Sequence, residues 1–430
     1  MTCLRCPHYR SKPVWKHTSM RVKSAANRRY FTDNGNNSRQ HAARHLEYTV
    51  DDCRSRATLA HDLQHLSRYI CREHLKTAPD GAKPKEKIQM NQTKIRSSEY
   101  CTVGHPDRTC DFIASYILDK YLAEDPKSRV ALEVQFKDEF CTISGEVTSN
   151  APFDEEDIAD FACEAVAKIG YTPEYQAKFG DANVVSADEL EVVTHISHQS
   201  SDIAQGVDRD GWGDVGIFWG LAVDEPKMGY MPKDYFLARK LGQDIAGRLG
   251  GLDVKTLVTL KDGKPVECFI AIPLAPNDDE HDVVVAAESL LGPNCRIVVN
   301  GTGRYVTHGS VGDCGTTGRK LVVDFYGGNS RIGGGSPWGK DPTKADVTLN
   351  VYARRCALEG MKRYGLPEMR CAISCCIGRR DIRICLFDRE MNLVEERTEA
   401  DPASAVIARL GLDKPVYAEM CRNGLFGCEI

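Results

Sequence analysis

Three observations predict an α+β fold of three structurally similar α+β units in a pseudo-three-fold arrangement. Strand-like runs come as neighbouring pairs joined by short polar turns, the pattern of antiparallel hairpins. Amphipathic helical segments stand between those pairs, as in α+β layers. The hairpin-and-helix set recurs about three times at similar size from Arg96 to the end of the chain. The expected division is a basic N-terminal extension over 1–95, then α+β domains over 96–203, 211–307 and 309–430.

Residues 1–95 are rich in Arg, His, Asn and Ser and poor in Val, Ile and Phe, so the extension is expected to be poorly ordered. Only Leu59 to Leu75 has helical spacing, with Leu63, Leu66 and Ile70 on one stripe. Cys3 and Cys6 form a Cys-x-x-Cys beside His8, but Cys53 and Cys71 are poorly spaced to complete a zinc site. The run from Pro79 to Lys87 reads as a linker.

From Arg96 onward the elements follow in order. Asp111 to Ala123 is amphipathic, with Phe112, Tyr116 and Ile117 on one face. Arg129–Phe136 and Phe140–Val147 form a hairpin, Asp154–Ile169 a helix, and Glu189–Ser197 a strand. A loop runs from Gln199 to Asp214. A helix over Tyr235–Leu249 precedes a second hairpin, Val254–Leu260 and Val266–Ile272, around a Lys-Asp-Gly-Lys turn. A helix around Val283–Leu291 and a strand at Cys295–Asn300 close that unit. The last unit reads as a strand at Arg319–Asp324, a glycine-rich loop, a helix over Ala345–Tyr364, and strands at Met369–Ile377 and Asp381–Phe387.

Charge and composition narrow the function classes. The net charge of -5 divides unevenly: residues 1–95 carry 19 Lys/Arg against 8 Asp/Glu, leaving 37 against 53 in the rest. The folded part is therefore acidic, no specific nucleic-acid binder, and its Lys/Arg clusters stand out. No apolar run approaches the ~18 residues of a membrane helix. The 18 cysteines are scattered through apolar segments, which fits buried reduced thiols and a cytoplasmic location better than a disulfide framework.

The chemistry gathers in a few stretches. Gly333 to Asp346 joins three glycines to Lys340, Lys344 and Asp346, a set suited to a highly charged phosphate chain held with a metal ion. Gly312 to Lys320 repeats the recipe with Asp313, Arg319 and Lys320. It is not a Walker A loop, because Gly318 is followed by Arg319, Lys320 and Leu321. Gly104-His105-Pro106-Asp107-Arg108 presents His105 and Asp107 at a helix entry. There His105 offers a hydrogen bond or a positive charge to a developing anion, and Asp107 a magnesium ligand. An ordinary helix-entry loop capped by Asp111 is the bland alternative. Asp214 is flanked by glycines. Asp253 and Lys255 alternate at a strand start and so share one face. Together these acids and bases are what a metal-bridged polyphosphate needs.

In this order, the motifs resemble the methionine adenosyltransferase (S-adenosylmethionine synthetase) family, over about residues 96–430. Ser98-Glu99, Gly104–Arg108, Gly145–Thr148, Gln199–Ile203, Asp253–Lys255, Gly301–Tyr305, Gly312–Lys320 and Gly333–Asp346 carry the resemblance. It implies an enzyme that joins ATP to L-methionine. Sulfur attacks ribose C5′ and expels tripolyphosphate, which is then cleaved to phosphate and pyrophosphate. Two Mg²⁺ and K⁺, and a homodimer or tetramer with active sites at the subunit interface, are further implications.

By the same resemblance, His105, Lys255, Arg319, Lys320, Lys340 and Lys344 are catalytic. ATP is held by these and by Glu99, Asp214, Asp253, Tyr305 and Asp313. Methionine is held by Glu146, Gln199, Asp313 and Lys344. Asp107 and Asp346 hold Mg²⁺, and Glu133 holds K⁺. The chain departs from the family pattern at Val215, Val347 and Leu425. Those departures motivate one alternative, a non-catalytic regulatory or interaction subunit retaining the fold; a tripolyphosphate hydrolase related by fold is another.

Overall fold

The computed structural model describes residues 93–199 and 210–426, within one unit spanning Asn91–Ile430. The expectations for the helix at 59–75, the Cys3/Cys6 pair, the linker at 79–87 and most of the loop after Gln199 lie outside the described residues.

Helix and strand ends are set by local chemistry. Strand β1 (Ile95–Cys101) leads through a tight turn into helix α1 (Pro106–Glu124). His105 caps this helix: its side chain accepts from the Asp107 amide, and proline follows at the first helical position. The helix thus begins five residues before the expected Asp111. Strands β2 (Arg129–Lys137) and β3 (Phe140–Thr148) form the first hairpin. Helix α2 (Glu155–Ile169) opens on a capping box between Asp154 and Asp157. Helix α3 (Pro173–Phe179) and strand β4 (Glu191–Ser197) follow.

Strand β5 (Gly216–Val223) precedes helix α4 (Lys233–Leu249). Strands β6 (Lys255–Lys261) and β7 (Lys264–Ala271) meet at Asp262 and Gly263, both at positive φ (51° and 77°), the backbone a tight hairpin turn needs. Helix α5 (Glu280–Leu291), strand β8 (Arg296–Val299) and the two-residue strand β9 (Gly315–Thr316) come next. Helix α6 (Ala345–Tyr364), strands β10 (Glu368–Cys375), β11 (Ile382–Phe387) and β12 (Leu393–Glu399), and helices α7 (Ala403–Leu410) and α8 (Tyr417–Asn423) complete the described chain.

One sequence-based element is corrected. Residues 319–324 do not form a strand; Leu321–Asp324 make a single helical turn. Local β propensity at Val322 and Val323 is overridden because Asp324 is drawn inward to pair with the buried Arg108.

The strands build three four-stranded sheets, ordered β1-β6-β7-β8, β4-β3-β2-β9 and β12-β11-β10-β5. Each contains one strand from a different third of the chain. β1 pairs antiparallel with β6, placing Cys101 opposite Lys255. β5 pairs with β10, and β9 pairs with β2. The segments 96–203, 211–307 and 309–430 therefore exchange strands cyclically, and no sheet belongs to one segment alone. This exchange carries functional side chains from one part of the chain onto another.

Helix α1 lies at the centre, against β2, β9, α2 and α8. Inside it Arg108 is fully buried and pairs with Asp324 and, at 3.2 Å, with Asp111. Its other terminal nitrogen donates to the Cys421 carbonyl. Arg108 is thus a structural keystone. Arg108→Ala leaves two buried carboxylates without their cation and is expected to destabilise the fold by about 3–5 kcal/mol. Denaturant unfolding checks it; a loss under about 1 kcal/mol would mean the pair is not coupled to the fold.

Candidate functional site

The charged residues singled out from the sequence fall into two groups. The first forms where β1, the start of α1 and the start of β6 meet. A Cβ on Gly104 would come 2.4 Å from the Leu252 carbonyl, so only glycine lets the His105 turn approach the Asp253 turn this closely. Asp107 is fully buried. Its Oδ1 accepts from the Thr316 amide at 2.9 Å and lies 3.4 Å from Arg319 Nε; its Oδ2 pairs with Lys320. Lys255 stands 3.8 Å from Glu99 across the β1–β6 pair. Asp253 accepts from the Gly309 amide at 3.1 Å, and Tyr305 and Asp313 stand within its electrostatic reach. Asp313 itself is exposed, its Oδ1 accepting the Cys314 amide at 2.8 Å.

Protonation follows from these surroundings. Burial, and then the Lys320 charge, lower the His105 pKa to about 4, so the ring is neutral near pH 7. His105 Nδ1 accepts the Asp107 amide at 3.3 Å, so the neutral ring carries its proton on Nε2. In this form the ring is a neutral hydrogen-bond donor rather than a cation. Burial pushes the Asp253 carboxyl up to about 7, partly countered by the Gly309 amide.

The second group forms around the glycine loop. Gly335 donates to Asp346 Oδ1 at 2.7 Å, and Lys340 Nζ reaches Asp346 Oδ2 at 2.6 Å. Gly334 is at positive φ (74°), and a Cβ there would meet Asp346 Oδ1 at 2.6 Å. The loop is fixed to the first hairpin by register: Lys340 bridges Ala131, which faces Glu146 on β3, which faces Ser197 on β4. Glu146, Gln199 and Lys340 are thereby brought to one end of that sheet. Glu133 lies exposed on β2, within electrostatic reach of Lys340 and Asp346. Asp214 is exposed on the loop ahead of β5. Among the described residues, Lys344 Nζ is buried without a hydrogen bond, 3.5 Å from Asp341 Oδ2, and Gln199 Oε1 is likewise buried without one.

Among the described residues no hydrogen bond or ion pair joins the first group to the second. The residues expected to hold methionine are divided between them, Asp313 in the first and Glu146, Gln199 and Lys344 in the second.

Residues 93–201 match the family model for the N-terminal domain of S-adenosylmethionine synthetase, and residues 307–430 match the model for its C-terminal domain. The chain belongs to the S-adenosylmethionine synthetase family. It is 35% identical over 367 residues to S-adenosylmethionine synthase 2 of Rhodospirillum rubrum, covering 77% of this chain and 91% of that protein. It is also 35% identical over 379 residues to S-adenosylmethionine synthase of Desulforudis audaxviator, covering 77% and 92%. Among solved structures it is similar to an unusual S-adenosylmethionine synthetase from Campylobacter jejuni, with a TM-score of 0.68 and 28% identity over 78% of this chain and 95% of that one.

In this family member two of the three departures are packing positions. Val347 and Leu425 are buried in the core, whereas Val215 is exposed beside Asp214. Sequence reasoning passed over Asp341, which is fully buried. It accepts from the Val130 amide at 2.9 Å and the Thr343 hydroxyl at 2.6 Å, and so locks the loop to β2. Its position between Lys340 and Pro342 was the available signal.

Proposed function

We propose that this chain makes S-adenosylmethionine from ATP and L-methionine. The methionine sulfur attacks ribose C5′, the C5′–O bond breaks, and tripolyphosphate leaves, to be cleaved to phosphate and pyrophosphate. The observation that carries the reading is the pairing of Lys320 with Asp107 and of Lys340 with Asp346, each beside a glycine-rich loop. A thioether is nucleophilic without a base, so the residues need only orient it and stabilise a leaving group that gains charge. Lys255, Arg319, Lys320, Lys340 and Lys344 supply that charge; the buried Lys344 ammonium, paired with Asp341 at 3.5 Å but without a hydrogen bond among the described residues, supports an anionic ligand there. His105 donates its Nε2 hydrogen towards the departing oxygen. Glu99, Asp214, Asp253 and Tyr305 bind the nucleoside side, and Glu146, Gln199 and Asp313 bind methionine.

Among the described residues no three His, Cys, Asp or Glu side chains are grouped to hold a metal. That fits Mg²⁺, which is commonly held by one or two carboxylates with substrate phosphates and water completing its shell. Asp107 and Asp346 are those carboxylates, and Glu133 is the residue for K⁺. Mg²⁺ held by Asp107 and Asp346 would neutralise charge on the tripolyphosphate, and Lys320 and Lys340, which pair with those carboxylates, would be the bases for its oxygens.

That no hydrogen bond or ion pair joins the two groups among the described residues supports an active site completed by a second copy, as a homodimer or tetramer. Phe140, Val193, Ile217 and Phe269, exposed on the strands, support such a partner surface. Free thiols throughout the described residues support a cytoplasmic location. The test is a product assay with ATP, methionine, Mg²⁺ and K⁺. A sulfonium nucleoside appears together with phosphate and pyrophosphate; none from folded protein overturns the proposal.

Asp253 gives the reaction a pH signature. Its folded pKa of about 7 lies above the 3.8 of an ordinary aspartate, so the native state holds the extra proton between them. Stability from this group is complete below pH ~4 and lost as pH rises through ~7. The ionised form is the one that accepts a ribose hydroxyl, so kcat/KM for ATP is expected to rise through about pH 7. Asp253→Asn should remove that step; a profile that keeps it assigns the ionisation elsewhere.

A further inference from the structure

Next to the first charged group stands an aromatic block that the chemistry above does not use. Tyr171 follows α2, and its hydroxyl donates to the Gly104 carbonyl at 2.5 Å. The Leu252 amide donates to the Tyr175 hydroxyl at 3.1 Å, and that hydroxyl lies 2.8 Å from His308 Nε2. His308 Nδ1 lies 2.6 Å from the Val306 carbonyl. A carbonyl only accepts, so Nδ1 carries the ring proton, Nε2 is bare, and Tyr175 donates to it. Burial lowers the His308 pKa to about 4, which keeps this neutral form in place.

The bonds end on the two turns that matter. Gly104 precedes His105, and Leu252 precedes Asp253. Gly309, next to His308, donates its amide to Asp253 Oδ2 at 3.1 Å. Gly309 holds a φ of +58°, and a Cβ there would come 3.0 Å from the Tyr171 hydroxyl. The rings themselves are packed: Tyr171 and Tyr175 meet edge-on at 5.5 Å between centroids, and Phe179 and His308 at 4.7 Å. The backbone beside His105, the backbone beside Asp253 and the Asp253 carboxylate therefore all hang on one rigid unit.

We propose that Tyr171, Tyr175 and His308 are positioning residues for adenosyl transfer, fixing the His105 turn against the Asp253 turn. The inference rests on the function proposed above. None of the three is among the residues expected to touch substrate. Each acts by setting where His105 and Asp253 stand, and displacement of about 1 Å in such a group costs up to about 10²-fold in rate.

Tyr171→Phe and Tyr175→Phe each remove a single oxygen, and His308→Gln keeps an acceptor for Tyr175 that His308→Leu lacks. Steady-state transfer from ATP and methionine is measured per folded protein, with thermal melting alongside. The expected result is a kcat about 10-fold lower in either Phe variant, with KM for methionine within about 3-fold, and a clearly higher kcat in His308→Gln than in His308→Leu. Phe variants with kcat within about 2-fold of wild type overturn the inference, as does a lowered melting temperature with kcat per folded site unchanged. Should Tyr175→Phe fail to fold, Tyr171→Phe decides. An inactive wild-type chain overturns the proposed function and this inference together, whereas an active wild type with equally active variants overturns this inference alone.

Discussion

Lys340→Ala is expected to lower kcat for adenosyl transfer by about 10²–10³-fold, equivalent to about 3–4 kcal/mol of transition-state stabilisation, with the fold intact. The Lys340 side chain is one-fifth exposed, and its ammonium sits 2.6 Å from an Asp346 oxygen. In the ground state that pair is balanced. In the reaction the leaving tripolyphosphate gains charge, and a fixed cation at partial burial is worth more than water there. The truncation spares the backbone, so the bridge from residue 340 to Ala131 and the Gly335 amide on Asp346 are retained. Melting within a few degrees of wild type should accompany the loss of rate. Activity within about 3-fold of wild type would remove Lys340 from the site.

His105→Asn is the second large effect, and it separates two roles of one side chain. His105 caps α1 through Nδ1, and truncating such a cap costs about 1 kcal/mol. Asparagine caps a helix as well as any residue, so His105→Asn should keep the stability that His105→Ala loses. It cannot supply the Nε2 hydrogen at the reach of an imidazole. The expected outcome is a kcat lower by about 10²-fold in both variants, with a lower melting temperature only in the alanine one. If His105→Asn is fully active, the histidine is a cap and nothing more.

Much of this was legible in the sequence because it is encoded locally. The helix at Asp154–Ile169, the Lys-Asp-Gly-Lys turn and the helix over Ala345–Tyr364 are read from neighbours a few residues apart, and these elements fall where expected. The glycine-rich stretches that carry Arg319, Lys320, Lys340, Lys344 and Asp346 also stand out locally, because they set Lys, Arg and Asp beside several glycines. What the sequence does not display is partnership over distance. β1 pairs with β6 across more than 150 positions, and no periodicity in either strand names the other. The cyclic exchange of strands was therefore missed, as was β5, whose apolar run Gly216–Val223 follows a glycine-rich loop. The turn at Leu321–Asp324 was misread for a related reason: its conformation is dictated by Arg108, some 200 positions earlier. The division of the phosphate-binding bases between two groups is likewise a property of the folded chain.

That division allows a direct measurement. His105 belongs to the first group and Lys340 to the second, so two copies of the chain that complete one another's sites can exchange what each lacks. His105→Asn and Lys340→Ala chains are to be co-expressed, the mixed dimers formed, and adenosyl transfer measured beside each parent. Random pairing of two defective chains with shared sites restores about one quarter of wild-type activity, because half the dimers are mixed and each mixed dimer has one intact site. Recovery to that level, from parents each about 10²-fold impaired, is the expected result. Mixed dimers no more active than their parents would show that the two groups do not complete one another's site across the subunit interface.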